Sequence, residues 1–143
     1  MTETTTTTDA ATDEHVADDE RLAAVTATVD AHLDAYGEPD AARRGQIVAR
    51  VWDPTGRLVD PPIDGTGHDG IVELAGTVQS MFPGHTFRRT TVVDEHHGHA
   101  RYGWDLVDPA GTAVLSGVDV ALLGDDGRLQ HVAGFFGELT PLT

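Results

Sequence analysis

The sequence predicts an α+β fold in which three helices pack on one face of a curved, mainly antiparallel sheet. Three observations lead there. Apolar residues recur at three- and four-residue spacing as far as Phe82; from Thr86 onward the spacing becomes two; and Gly-, Asp- or Pro-bearing turns divide that second half into strands. A length of 143 residues is one domain's worth and buries a real core.

The first helix is expected from about Ala17 to Tyr36, with Leu22, Val25, Val29, His32, Leu33 and Tyr36 on one stripe and Gly37 ending it. Before it, residues 1–15 are Thr-, Asp-, Glu- and Ala-rich without periodicity and read as a disordered acidic tail, leaving 16–143 as the domain. A second helix is expected over Pro39 to Trp52, stopped by Asp53-Pro54, with Ile47, Val48, Val51 and Trp52 inward. Thr55 to Pro62 reads as a turn and a short strand, Asp64 to His68 as a polar loop, and Asp69 as the cap of a third helix over Gly70 to Phe82. Strands follow over Thr86 to His96, His99 to Val107, Thr112 to Leu123 and Arg128 to Gly137, as a four-stranded meander.

Charge narrows the partners. Nine basic residues, all Arg, against 24 acidic ones give a net charge of −15, which argues against nucleic acid and anionic membrane surfaces. A salt-adapted cytoplasm and a high-GC coding bias both account for Arg without Lys. No apolar run is long enough to span a membrane and no basic-then-apolar leader is visible, so a cytoplasmic protein is expected. With no cysteine, disulfides and thiolate metal sites are excluded. His96, His97 and His99 invite a metal reading, but the Gly98 turn divides them and no carboxylate is firmly placed nearby; a solvated hairpin tip is the expectation, with no metal or cofactor.

The stretch most informative about chemistry is Gly117 to Glu138. Asp119 sits among Val118, Val120, Ala121, Leu122 and Leu123, in a strand apolar on both faces otherwise. A carboxylate buried there is costly unless neutral, paired or hydrogen-bonded, and its pKa is expected to rise. His32 on the buried stripe reads equally well as a core histidine bonded to a backbone carbonyl, and Tyr36 as a packing residue with its hydroxyl at the edge. Asp60, before two prolines, reads by itself as a turn or capping carboxylate.

From Val16 to Leu139 the order of elements and the final hairpin resemble the nuclear transport factor 2-like superfamily, which includes ketosteroid isomerase and SnoaL-like polyketide cyclases. Asp119, Gly127 and Phe136-Gly137-Glu138 are similar to the C-terminal hairpin of ketosteroid isomerase, and Val59-Asp60-Pro61-Pro62 resembles its Asp-Pro segment. The resemblance implies a cone-shaped α+β fold with a small apolar molecule in its hollow. It implies Asp60 as general base and Asp119 as the protonated acid of an oxyanion hole, the arrangement for which ketosteroid isomerase is the standard example. The family's helix tyrosine would align with His32, a departure from the pattern that makes His32 the third candidate catalytic residue, donating in the tyrosine's place or shuttling a proton itself. Phe136 matches an aromatic pocket wall, and Tyr36, Trp52, Phe82, Tyr102 and Trp104 are the other candidate substrate-binding residues. The activity implied is cofactor-free isomerase, cyclase or dehydratase chemistry on an apolar, ring-containing carbonyl compound; a non-catalytic binding or dimerisation module of the same fold is the alternative, and a homodimer is expected. FPGH at Phe82 to His85 and GWDL at Gly103 to Leu106 bring the chain nearest to the SnoaL-like proteins.

Overall fold

A computed structural model of the chain describes residues 2–143, with side chains from Ala17 onward; the acidic tail expected over 1–15 lies outside the residues described with side chains. Three helices, α1 (Thr2–Gly37), α2 (Ala41–Val51) and α3 (Gly67–Met81), pack on a seven-stranded sheet. The strands are β1 (Trp52–Asp60), β2 (Ile63–Thr66), β3 (Thr86–Arg89), β4 (Asp94–His96), β5 (His99–Val107), β6 (Ala113–Leu123) and β7 (Leu129–Phe136). Their order is β2-β1-β7-β6-β5-β3, with β4 also pairing with β5. All pairs are antiparallel except β1 with β7, which run parallel. The fold class is the expected one, but the sheet is larger than a four-stranded meander and mixed.

The differences have local causes. Helix α2 begins after Asp40, whose carboxylate accepts from the Arg43 N–H, a cap that contributes about 1 kcal/mol. It stops at Trp52, one residue before the expected breaker, because Trp52 is already extended and opens β1. Pro54 is tolerated in that strand because it lies where the β1–β7 ladder is interrupted, between Trp52 and Arg57. The expected polar loop contains β2, a four-residue edge strand pinned to β1 by an Arg57–Asp64 ion pair. The third helix starts at Gly67 rather than Gly70, with Thr66 at the cap position and Asp69 in the first turn, where its charge suits the helix dipole. The strand expected over Thr86 to His96 is broken: four residues separate Arg89 from Asp94, against two between their partners Trp104 and Arg101. The slack is taken up by Thr91, whose hydroxyl accepts from the Gly103 N–H.

The hairpin tip at His97-Gly98 has both residues at positive φ, 53° and 80°, the two-residue turn that matches strand twist. The core fills the space between helices and sheet, with Val29, Val48, Trp52, Ile71, Leu106, Leu129 and Val132 fully enclosed. The expected α1 stripe is buried at Val25, Val29, His32, Leu33 and Tyr36, while Leu22 is exposed. Among the described residues no helix is long and apolar enough to cross a membrane.

Candidate active site

Four neighbouring strands put one row of residues on the inner face of the sheet. Tyr102 of β5 pairs with Asp119 of β6, and Asp119 pairs with Gly134 of β7. Asp60 stands on β1 one residue past the Val59–Ala133 pair, beside Gly134. Because β7 lies between them, the backbones of β1 and β6 are roughly 10 Å apart, two strand spacings. The two acids close that gap over the glycine. A methyl group on Gly134 would stand 2.9 Å from Asp60 Cβ, 3.0 Å from Asp119 Oδ1 and 3.3 Å from Asp60 Oδ2. The carboxyls therefore share one opening, well within the span of a small substrate.

The two acids differ in their surroundings. Asp119 is buried, and both its oxygens accept: Oδ2 from the Tyr102 hydroxyl at 2.9 Å and Oδ1 from the Trp104 indole N–H at 2.9 Å. Burial pushes its pKa up to about 6, and the charge of Asp60 adds to that, against the pull of the two donors. Asp60 is half-buried at the mouth, and burial raises it to about 6 as well.

Helix α1 supplies the opposite wall. His32 is fully enclosed, and its Nδ1 accepts from the Trp52 indole N–H at 3.3 Å instead of donating to a backbone carbonyl as expected of a core histidine. Trp can only donate, so the ring proton sits on Nε2. Burial depresses this imidazole to about 4, which keeps it neutral at physiological pH and unsuited to shuttling protons there. One turn further on, Tyr36 stacks edge-on against His32. Its hydroxyl is buried and has no hydrogen-bond partner among the described residues. Burial, Asp119 and Asp60 all hold that hydroxyl in its protonated form.

These groups enclose a cavity of about 40 Å³ lined by His32, Tyr36, Asp60, Phe87, Trp104 and Asp119, closed by Leu33, Leu58, Ile63 and Val78. By the measure in which one water needs about 10–15 Å³, it takes roughly three or four heavy atoms. Of the residues expected to bind substrate, Tyr36 and Trp104 line it. Tyr102 stands behind Asp119 as its donor and Trp52 behind His32. Phe82 packs against the core and His85, and Phe136 lies half-exposed at the rim, edge-on to Trp104. Gly134 and Phe87 belong to the site although nothing in their own chemistry marks them; a lone glycine inside the apolar run Val132 to Phe136 is the signal that would have pointed to Gly134. Among the described residues no three His, Asp or Glu side chains gather to hold a metal ion. His96 and His97 face each other at 3.1 Å on the exposed hairpin tip, away from the cavity.

Solved structures place the chain in a family. A candidate isomerase of the SnoaL-like family from Agrobacterium tumefaciens is 32% identical, with a TM-score of 0.76 over 81% of this chain and 99% of that one. The chain belongs to the SnoaL-like family. A candidate SnoaL-like polyketide cyclase from a Jannaschia species shares the fold at 15% identity, TM-score 0.63, over 80% of this chain and 85% of its own. So does a protein of ketosteroid isomerase-like fold from Catenulispora acidiphila, solved with trimethylamine, at 12% identity, TM-score 0.61, over 76% and 83%. No family model and no curated protein matches the chain.

Proposed function

We propose that this SnoaL-like protein carries out acid–base chemistry on a small carbonyl compound, moving a proton at the carbon next to the carbonyl. The observation that carries the reading is the meeting of Asp60 and Asp119 in one cavity, beneath a tyrosine hydroxyl with no partner of its own. Asp60 is the base: no fixed donor occupies its oxygens, and a pKa raised to about 6 brings it towards the neutral range where a general base is most effective. The developing oxyanion is met by Tyr36, which keeps its proton beside two acids, and by Asp119 when it carries one. Tyr102 and Trp104 hold Asp119 in place, and the enclosed apolar wall strengthens each of these interactions.

The cavity's size supports a substrate whose reacting carbonyl end is narrow, with any ring lying at the mouth beside Asp60 and Ile63. The same small volume also favours a second reading, a binding pocket that does no chemistry. Proton–deuterium exchange at the α-carbon of small cyclic and open-chain ketones, followed by NMR, separates them. Turnover is expected in the wild type and a loss of about 10²–10⁴-fold in Asp60→Asn. Ketone binding without exchange in the wild type would leave the binding reading standing and sink the enzymatic one.

The reading extends to assembly: a second copy of the chain covers the outer face of the sheet. Val118, Val120 and Phe135 are exposed there. The carboxylate at the outward positions of β5, Asp105, is paired with Arg88, so two copies can meet without bare carboxylates opposed.

A further inference from the structure

We propose that Gly134 is the positioning residue of the acid pair: lacking a side chain, it lets Asp60 and Asp119 lean across strand β7 and hold a single proton between them. Two carboxylates on alternate strands of a sheet would ordinarily be kept apart by the side chain of the strand between, which points to the same face as both. Here that position is empty. The space a β-carbon would fill is already occupied from one side by Asp60 Cβ at 2.9 Å and from the other by Asp119 Oδ1 at 3.0 Å. Real β-carbons essentially never come as close as 2.9 Å and seldom as close as 3.0 Å, so a side chain here would push one or both acids aside.

The charged and titratable groups facing the pair account for the rest. Helix α1 presents His32 and Tyr36, and β5 presents Tyr102 and the Trp104 indole; α3 and β3 contribute the apolar Val78 and Phe87. No cation among these lining residues neutralises the two acids, since His32 is uncharged above about pH 4. Two like charges in one opening, one of them buried, ionise in two steps that belong to the pair. The first proton lost leaves one carboxylate and one carboxylic acid in the same opening, which is the state the proposed reaction needs. The inference rests on that reading for its catalytic meaning, but its test does not.

The test follows the aspartate carboxyl carbons by ¹³C NMR through a pH titration of the wild type, Gly134→Ala and Asp60→Asn. In the wild type Asp60 and Asp119 are expected to titrate in two separated steps. In Asp60→Asn the Asp119 midpoint is expected to fall by about one pH unit, the coupling that defines an interacting pair. In Gly134→Ala the two wild-type steps are expected to draw together. An Asp119 midpoint unmoved by Asp60→Asn would overturn the shared proton, even if Gly134→Ala failed to fold. Unchanged titrations in a folded Gly134→Ala would reduce Gly134 to a packing residue. Neither result depends on turnover, so the pair stands or falls separately from the ketone assay.

Discussion

Strand β6 has two faces, and each carries an exception to what a one-sided sheet usually shows. Inward, toward the helices, it presents Asp119 to the buried donors of Tyr102 and Trp104 and to the cavity that Tyr36 also lines. Outward, it presents Val118 and Val120, 41% and 44% exposed, beside Phe135 at 59%. Ordinary alternation on a one-sided sheet puts apolar residues inside and polar ones out. The inversion teaches two different things. A polar group kept in the core at a cost marks a site, because it persists only where something other than stability retains it. A cluster of apolar groups left in water is a candidate interaction surface.

The sharpest way to break the comparison is to remove the inward polar group. Asp119→Ala strands two buried donors, the Tyr102 hydroxyl and the Trp104 indole N–H. At about 1–3 kcal/mol for each unsatisfied donor, a loss of roughly 3 kcal/mol is expected from urea unfolding at pH 5, where the acid is largely protonated. At pH 8 the loss should be smaller, since the substitution also removes a buried charge. Equal losses at both pH values would mean that Asp119 is not penalised by burial.

Asp60→Asn probes the same face from its mouth. The folded-state pKa of Asp60 is raised from 3.8 to about 6, so the folded protein binds a proton more tightly than the unfolded chain. Its contribution to stability is therefore best below pH 4 and declines as pH rises through 6. Holding the proton up to about pH 6 corresponds to about 3 kcal/mol, which screening at the half-exposed mouth reduces to about 1–2 kcal/mol. Asp60→Asn is expected to be more stable than the wild type by that amount at pH 8 and equal to it at pH 4, while losing proton exchange. A gain in stability with a loss of function is what a strained working group shows. A variant less stable than the wild type at pH 8 would make Asp60 a structural residue.

Tyr36→Phe tests the opposite wall. The hydroxyl is buried and unpartnered, so deleting it should stabilise the empty protein by about 1 kcal/mol. Exchange is expected to slow by about 10²-fold, the usual cost of losing one oxyanion donor. Thermal unfolding and the ketone assay read the two effects separately. A destabilised variant with full activity would mean that Tyr36 only packs.

Much of the inner face was legible in the sequence, for reasons that also explain what was missed. Asp119 stood out because one carboxylate in an apolar run has few explanations, and His32 because it fell on a helical stripe. Asp60 needed the family resemblance, since an acid before two prolines is ordinary turn chemistry. Gly134 was invisible as chemistry: its role lies in an atom it lacks, and only the strand order β1-β7-β6 sets it between the two acids. That order itself could not be read from periodicity, because β1 meets β7 across most of the chain's length and β2 is too short and polar to announce a strand. Tyr36 appeared on the stripe, but that its hydroxyl lacks a partner is a property of the assembled cavity.

The smallest expected effect lies on the outer face. Val120 pairs with Arg101 on one side and Ala133 on the other, and its side chain points away from the core. In an isolated copy, Val120→Asp removes a half-exposed side chain and adds a solvated charge, so unfolding of dilute protein should move by no more than about 0.5 kcal/mol. If a second copy covers this face, the same change buries a carboxylate against its own symmetry mate, and a two-fold contact repeats the fault on both sides. Sedimentation equilibrium is then expected to show a wild-type dimer and a Val120→Asp monomer of nearly unchanged stability. A wild type that stays monomeric at high concentration would leave the outward valines as plain surface, and the inversion in β6 would reduce to its inner half.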